Sequence, residues 1–125
     1  MATILLVEDD RNQRELYRRE LTEEGYEVHA VGDGPAALES VRGQRPDAIV
    51  MDVALPGMDG METLGRLLGI DETIPVVLNT AYAHYRHNFL SWAAEGYVVK
   101  SSDLEPLKSK LREVLGTGAG VAAFG

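Results

Sequence analysis

Four short apolar runs in this 125-residue chain end in residues able to do chemistry. Ile4-Leu5-Leu6-Val7 leads into Glu8-Asp9-Asp10, and Ala48-Ile49-Val50-Met51 into Asp52. Pro75-Val76-Val77-Leu78 leads into Asn79-Thr80, and Tyr97-Val98-Val99 into Lys100. Continuous apolar runs of this length read as strands covered on both faces, which implies a parallel sheet. All carboxyl ends of such a sheet point one way, and ligands collect outside them. Carboxylates, a hydroxyl and an ammonium then meet in one crevice. That set suits a divalent cation beside an aspartate that can be phosphorylated.

Each residue has a functional and a plainer reading. Asp52, at a strand end, can attack a phosphoryl group and form an acyl phosphate, or it can cap a following helix. Asp9 and Asp10 crowd negative charge that resists ionising unless a cation joins it, and Mg²⁺ takes oxygen ligands. Alternatively, Asp10 caps the first helix and Asp9 is solvated; capping and coordination by Asp10 are compatible. Lys100 can pair with Asp52 and later with a phosphoryl group, or be an ordinary solvated lysine. Thr80 offers a hydroxyl donor, and the small Ala81 leaves its backbone N–H approachable.

Helical stretches must position these groups. Arg11 to Glu24 carries Leu16, Tyr17 and Leu21 on one face, with Asp10 placed to cap it and Gly25 to end it. A strand over Glu27 to Val31 precedes the turn Gly32-Asp33-Gly34, and Pro35 opens a helix that ends near Gly43. The third strand spans Asp47 to Asp52. Leu55-Pro56-Gly57-Met58-Asp59-Gly60 reads as a loop, with Asp59 placed to cap a helix striped by Met61, Leu64, Leu67 and Leu68. The fourth strand is Pro75 to Asn79, followed by a helix around His84 to Glu95 and a strand over Tyr97 to Lys100. Ser102 or Asp103 caps a last helix bearing Leu104, Leu107, Leu111, Val114 and Leu115. Alternation of this kind means a doubly wound α/β sandwich with right-handed crossovers. Residues 1–116 read as one domain and 117–125 as a Gly/Ala-rich flexible tail.

Composition bounds the function. Hydrophobic residues make up 45% and charged residues 26%, usual for a globular chain of one domain. A formal net charge of −8 opposes contact with a phosphate backbone, so direct nucleic-acid binding is not expected. The chain has no cysteine, which excludes disulfides, thiolate chemistry and Cys-based zinc sites. No basic region precedes the first apolar run, so neither a signal peptide nor a membrane span is expected, and a cytoplasmic location follows.

Taken together, V-E-D-D, I-V-M-D with L-P-G-M-D-G, N-T-A and Y-V-V-K resemble the receiver domain of two-component response regulators. The resemblance covers roughly Thr3 to Leu115. It implies a flavodoxin-like three-layer sandwich, with a five-stranded sheet of order 2-1-3-4-5 and five helices. It further implies that a sensor histidine kinase or a histidine phosphotransfer protein passes a phosphoryl group to Asp52. By the same resemblance Asp9 and Asp10 match the acidic pair that holds Mg²⁺ with Asp52, and the main-chain carbonyl of Ala54 matches the next metal contact. Thr80 matches the switch hydroxyl, Lys100 the site lysine, and Tyr97 the aromatic whose rotamer swings inward. Autodephosphorylation belongs to the same chemistry, and a partner-binding surface switches with phosphorylation; the downstream effector is not legible.

The chain departs from that pattern after Lys100, where the family usually carries a cis proline. Here Ser101 follows, and a cis bond before a non-proline residue costs about 2.5–4 kcal/mol, so a trans bond is predicted. Tyr82, two residues past Thr80, could screen an attacking water. His84 and His87 could share a helical face but lack an evident third metal ligand, and His29 alternates like an ordinary strand residue. Arg11, Arg14, Arg18 and Arg19 put positive charge on the first helix, either as ion pairs with Glu15, Glu20 or Glu23 or as a docking face. An aspartyl-phosphate phosphatase would need an acid where Ala54 stands. A flavin carrier would need a Ser/Thr/Gly loop where Glu8-Asp9-Asp10 repels phosphate. A pseudo-receiver would not need the full acidic, hydroxyl and lysine set.

Overall fold

The computed structural model describes residues 1–54, 60–81 and 94–116. Five strands are present: β1 (Thr3–Val7), β2 (Glu27–Val31), β3 (Ala48–Met51), β4 (Val76–Thr80) and β5 (Gly96–Val99). Four helices lie among the described residues: α1 (Arg11–Glu23), α2 (Gly34–Gly43), α3 (Gly60–Ile70) and α4 (Glu105–Leu115). The expected helix around His84 to Glu95 falls largely outside those residues, as do Leu55–Asp59, Tyr82, His84, His87 and the expected tail.

All four strand pairings are parallel, in the order β2-β1-β3-β4-β5. This is the order expected from the resemblance, and it sets β3 at the centre with the end of β1 beside it. Expected and observed strand ends differ by about one residue, the usual latitude at element ends.

Alternation along the strands splits the core in two. Leu5, Val7, Ile49, Met51, Val76, Leu78 and Tyr97 pack with Leu38, Val41, Leu64 and Leu67 of α2 and α3. Ile4, Leu6, Val50, Val77 and Val98 pack with Tyr17 and Leu21 of α1 and Leu107 and Leu111 of α4. Helices on both faces explain why the strands read as unbroken apolar runs rather than alternating ones.

The helix ends follow the local chemistry. Asp10 caps α1 by accepting Gln13 N–H, and Asp33 caps α2 by accepting Ala36 N–H. Past the end of α1, Gly25 has φ +101°, a conformation a Cβ would strain. At α4 the cap position is Leu104, which offers no side-chain bond. Asp103 serves that helix from one residue farther out, accepting Glu105 N–H at 3.0 Å. No described peptide bond is cis, so Lys100–Ser101 is trans as predicted. No described helix is long and apolar enough to cross a membrane.

Candidate phosphoacceptor site

The residues that end β1, β3 and β5 converge. Backbone bonds carry the sheet one step past each strand: Glu8 N–H to Val31 O, Asp52 N–H to Val7 O, and Lys100 N–H to Thr80 O at 2.7 Å. Strand alternation then sends Glu8, Asp52 and Lys100 to the α1/α4 face, following Leu6, Val50 and Val98. There Lys100 Nζ donates to Asp52 Oδ2 at 2.8 Å and to Gln13 Oε1 of α1 at 2.6 Å. It also lies 2.9 Å from Glu8 Oε1. The second Asp52 oxygen accepts the backbone N–H of Ala54 at 3.1 Å.

The cluster is largely shielded. Glu8 is 2% exposed and Asp52 7%, whereas Asp9 is exposed at the mouth. Burial pushes the Glu8 carboxyl above its ordinary value, against the pull of Lys100. Burial also opposes charge on Lys100, but the bonds to Asp52 and Glu8 outweigh it and hold the ammonium above the ordinary lysine value. Tyr17 of α1 lies buried near these charges. Its phenol is raised first by burial, and its hydroxyl bonds Asn79 of β4.

Carboxylate oxygens of Glu8, Asp9 and Asp52 lie within 4.8 Å of one another. That grouping corrects the expected pair. Asp9 belongs to it, but Asp10 does not. The Asp10 carboxylate is turned to the start of α1, where Oδ1 accepts Gln13 N–H at 3.0 Å. Glu8 stands in the cluster instead. It was missed because three acids follow one another, and choosing among them requires knowing where the strand stops. The signal was strand parity: Glu8 continues the inward series Ile4, Leu6.

The remaining expected residues are placed as follows. Thr80 is fully buried at the end of β4, and Tyr97 of β5 is 7% exposed. They share the α2/α3 face. Leu78 is the register partner of Tyr97, and Thr80 is the next residue along β4 on that side. The backbone of Ala54 is beside Asp52 through its N–H. Arg14 of α1 supports the acidic turn from below, donating from Nη1 to Glu8 O at 2.9 Å. His29 is an exposed strand residue bonded to Glu27, as the plain reading has it.

An all-oxygen donor set, partly buried and already holding an ammonium, fits a hard divalent cation. A family model described as response regulator receiver domain matches residues 4–112. The chain belongs to the response regulator receiver domain family. Such a receiver is a signalling domain. The response regulator MprA of Mycobacterium tuberculosis H37Rv is 38% identical over 114 residues, which is 90% of this chain and 50% of MprA. The receiver thus spans about half the length of the curated relatives it matches. Among solved structures, TrrA of Thermotoga maritima in complex with Mg²⁺-BeF superposes with TM-score 0.86 at 39% identity, covering 91% of this chain and 99% of that one. TrrA bound to histidine kinase ThkA gives TM-score 0.85 at 40% identity, covering 92% and 99%.

Proposed function

We propose that Asp52 accepts a phosphoryl group from a sensor histidine kinase or a histidine phosphotransfer protein, and that the domain then switches a partner-binding surface. The observation that carries this reading is the Lys100 ammonium shared by Asp52 and Glu8, with Asp9 beside them. TrrA supports it from outside, being known both with Mg²⁺-BeF and in complex with histidine kinase ThkA. The exchange takes place in the cytoplasm.

Glu8, Asp9 and Asp52 would hold Mg²⁺, with the main-chain carbonyl of Ala54. When bound, the ion supplies positive charge against the repulsion between Asp52 and the incoming phosphoryl oxygens. Ala54 N–H fixes one Asp52 oxygen, which orients the carboxylate for in-line attack. An Asp52 oxygen forms the new bond to phosphorus as the bond from phosphorus to the histidine nitrogen breaks, and that nitrogen takes up a proton. Lys100, already on Asp52, balances charge on the transferred group. Later attack by water on phosphorus returns Asp52 to its carboxylate.

Phosphorylation adds up to about two negative charges and new acceptor oxygens. Thr80, buried at the end of β4, donates to them, and Tyr97 on the same face takes the space it leaves. That shift biases the β5 side of the domain toward a partner-binding state. Incubation with acetyl phosphate and Mg²⁺ followed by intact mass tests the reading. One added phosphoryl group, absent in Asp52→Ala, is expected; no gain in the wild-type chain, or an equal gain in Asp52→Ala, overturns it.

A further inference from the structure

The spacing Asp10-x-x-Gln13 at the start of α1 is that of a capping box. In such a box the third helical residue reaches back to the N–H of the cap residue. Only half is made. Asp10 Oδ1 accepts Gln13 N–H at 3.0 Å, but Asp10 N–H goes to Glu8 Oε2 at 3.1 Å. The Gln13 side chain is thereby released from its local bond. Its carbonyl oxygen instead accepts from Lys100 Nζ at 2.6 Å, across 87 positions of the chain.

An ammonium has three N–H groups. Here three acceptors surround it: Asp52 Oδ2, Glu8 Oε1 and Gln13 Oε1. They are not equivalent. Glu8 and Asp52 belong to the carboxylate group that a cation would share, and sharing weakens their hold on Lys100. Gln13 Oε1 is neutral and lies outside that group. It is carried on a helix start that Asp10 fixes.

We propose that Gln13 is a positioning residue of the phosphoacceptor site, whose amide oxygen keeps the Lys100 ammonium beside Asp52 when the carboxylates are shared with a cation. The ammonium then turns a freed N–H toward the phosphoryl oxygens without losing its place. The inference rests on the reading of Asp52 as phosphoacceptor.

The test is Gln13→Met in the full chain, which keeps side-chain length and the backbone bond to Asp10. Two quantities are read. Without Mg²⁺, the ¹⁵Nζ–H signal of Lys100 is followed by NMR. Slow exchange with water is expected in the wild type and faster exchange in the variant. With acetyl phosphate at saturating Mg²⁺, the phosphorylation rate is expected to fall at least about tenfold, the value of one hydrogen bond from a charged donor. Mg²⁺ affinity, measured by calorimetry, stays within about twofold, since a neutral amide contributes little to cation binding. An unchanged rate, an unchanged Lys100 signal, or a rate loss that tracks a loss of Mg²⁺ affinity overturns the proposal. Should Gln13→Met fail to fold, Gln13→Asn, one methylene too short to reach, is read by the same outcomes. A wild-type chain that takes no phosphoryl group refutes the phosphoacceptor reading, while the NMR arm still decides whether Gln13 holds Lys100.

Discussion

Lys100 Nζ stands 2.8 Å from Asp52 Oδ2 although β4 lies between their strands in the sheet. The lysine stem must therefore cross the end of β4, and the ammonium arrives where two buried carboxylates need it. Glu8 and Asp52 would repel each other without it. The pairing makes the site a folded-state electrostatic device before any cation binds.

Lys100→Met leaves those two carboxylates without a counter-charge. Removing one partner of a buried ion pair costs about 3–5 kcal/mol. The Lys100 side chain keeps 14% of its exposure, so water screens the pair and a loss near or below the lower end of that range, about 2–3 kcal/mol, is expected in urea unfolding. Millimolar Mg²⁺ recovers part of it by restoring positive charge. A Lys100→Met chain as stable as the wild type in the absence of Mg²⁺ contradicts this account.

A second electrostatic tie lies at the opposite end of the sheet. Asp71 accepts from Thr73 Oγ1 at 2.5 Å, from Thr73 N–H at 2.9 Å and from Arg45 Nε at 2.7 Å. These bonds, Thr73 first, hold its carboxyl at about 2, below the ordinary 3.8. A depressed carboxyl favours the folded state above its unfolded value and loses that contribution as pH falls through the folded one. The stability difference between wild type and Asp71→Asn is therefore expected to be constant above the window from pH 3.8 to about 2 and to shrink across it. Urea midpoints measured across that range check it; a difference that grows on acidification contradicts it.

Much of this was legible before any coordinates. Asp52, Thr80 and Lys100 each close an apolar run, and a parallel sheet gathers such ends by construction. The order of strands came from the family resemblance, since periodicity alone does not tell which strand neighbours which. Glu8 against Asp10 was not legible, because a one-residue change in where β1 ends exchanges an inward acid for a helix cap. Gln13 was hidden for another reason. Its local signal, the capping box, predicts a bond to Asp10 N–H, and only the fold shows that Glu8 already occupies that donor.

The α1/α4 face joins apolar contact to an ionic fringe, and the two differ in weight. Leu111 is fully buried among Leu21, Leu107 and Val98. Lys108 Nζ bridges Glu20 at 2.9 Å and Glu24 at 3.7 Å, and Arg112 pairs with Glu24 and Glu105 at the surface. Leu111→Ala is expected to cost about 2–5 kcal/mol through lost burial and the cavity left behind. Lys108→Ala is expected to cost less, and its effect to shrink in about 1 M salt as the ion pairs are screened. Paired urea melts at low and high salt separate the two; a salt-insensitive loss in Lys108→Ala would mean that its stem, not its charge, holds the helix.

Gly60 connects packing to chemistry. It opens α3 and donates its N–H to Val53 O at 2.8 Å. A Cβ there would stand 2.5 Å from both Cα and O of Val53 and 2.8 Å from its carbonyl carbon. Alanine within a helix gains up to about 1 kcal/mol over glycine. Against that, the atoms in the way are backbone, and forced overpacking costs about 1–3 kcal/mol. The clash prevails, so Gly60→Ala lowers Tm. The same shift moves Val53 and with it Ala54, whose N–H orients Asp52 at 3.1 Å. Phosphorylation by acetyl phosphate is therefore expected to slow about tenfold in chains that remain folded, as small misplacements of a reacting group do. A Gly60→Ala chain that melts and phosphorylates like the wild type would show that the Val53 backbone yields freely and that Asp52 does not depend on it.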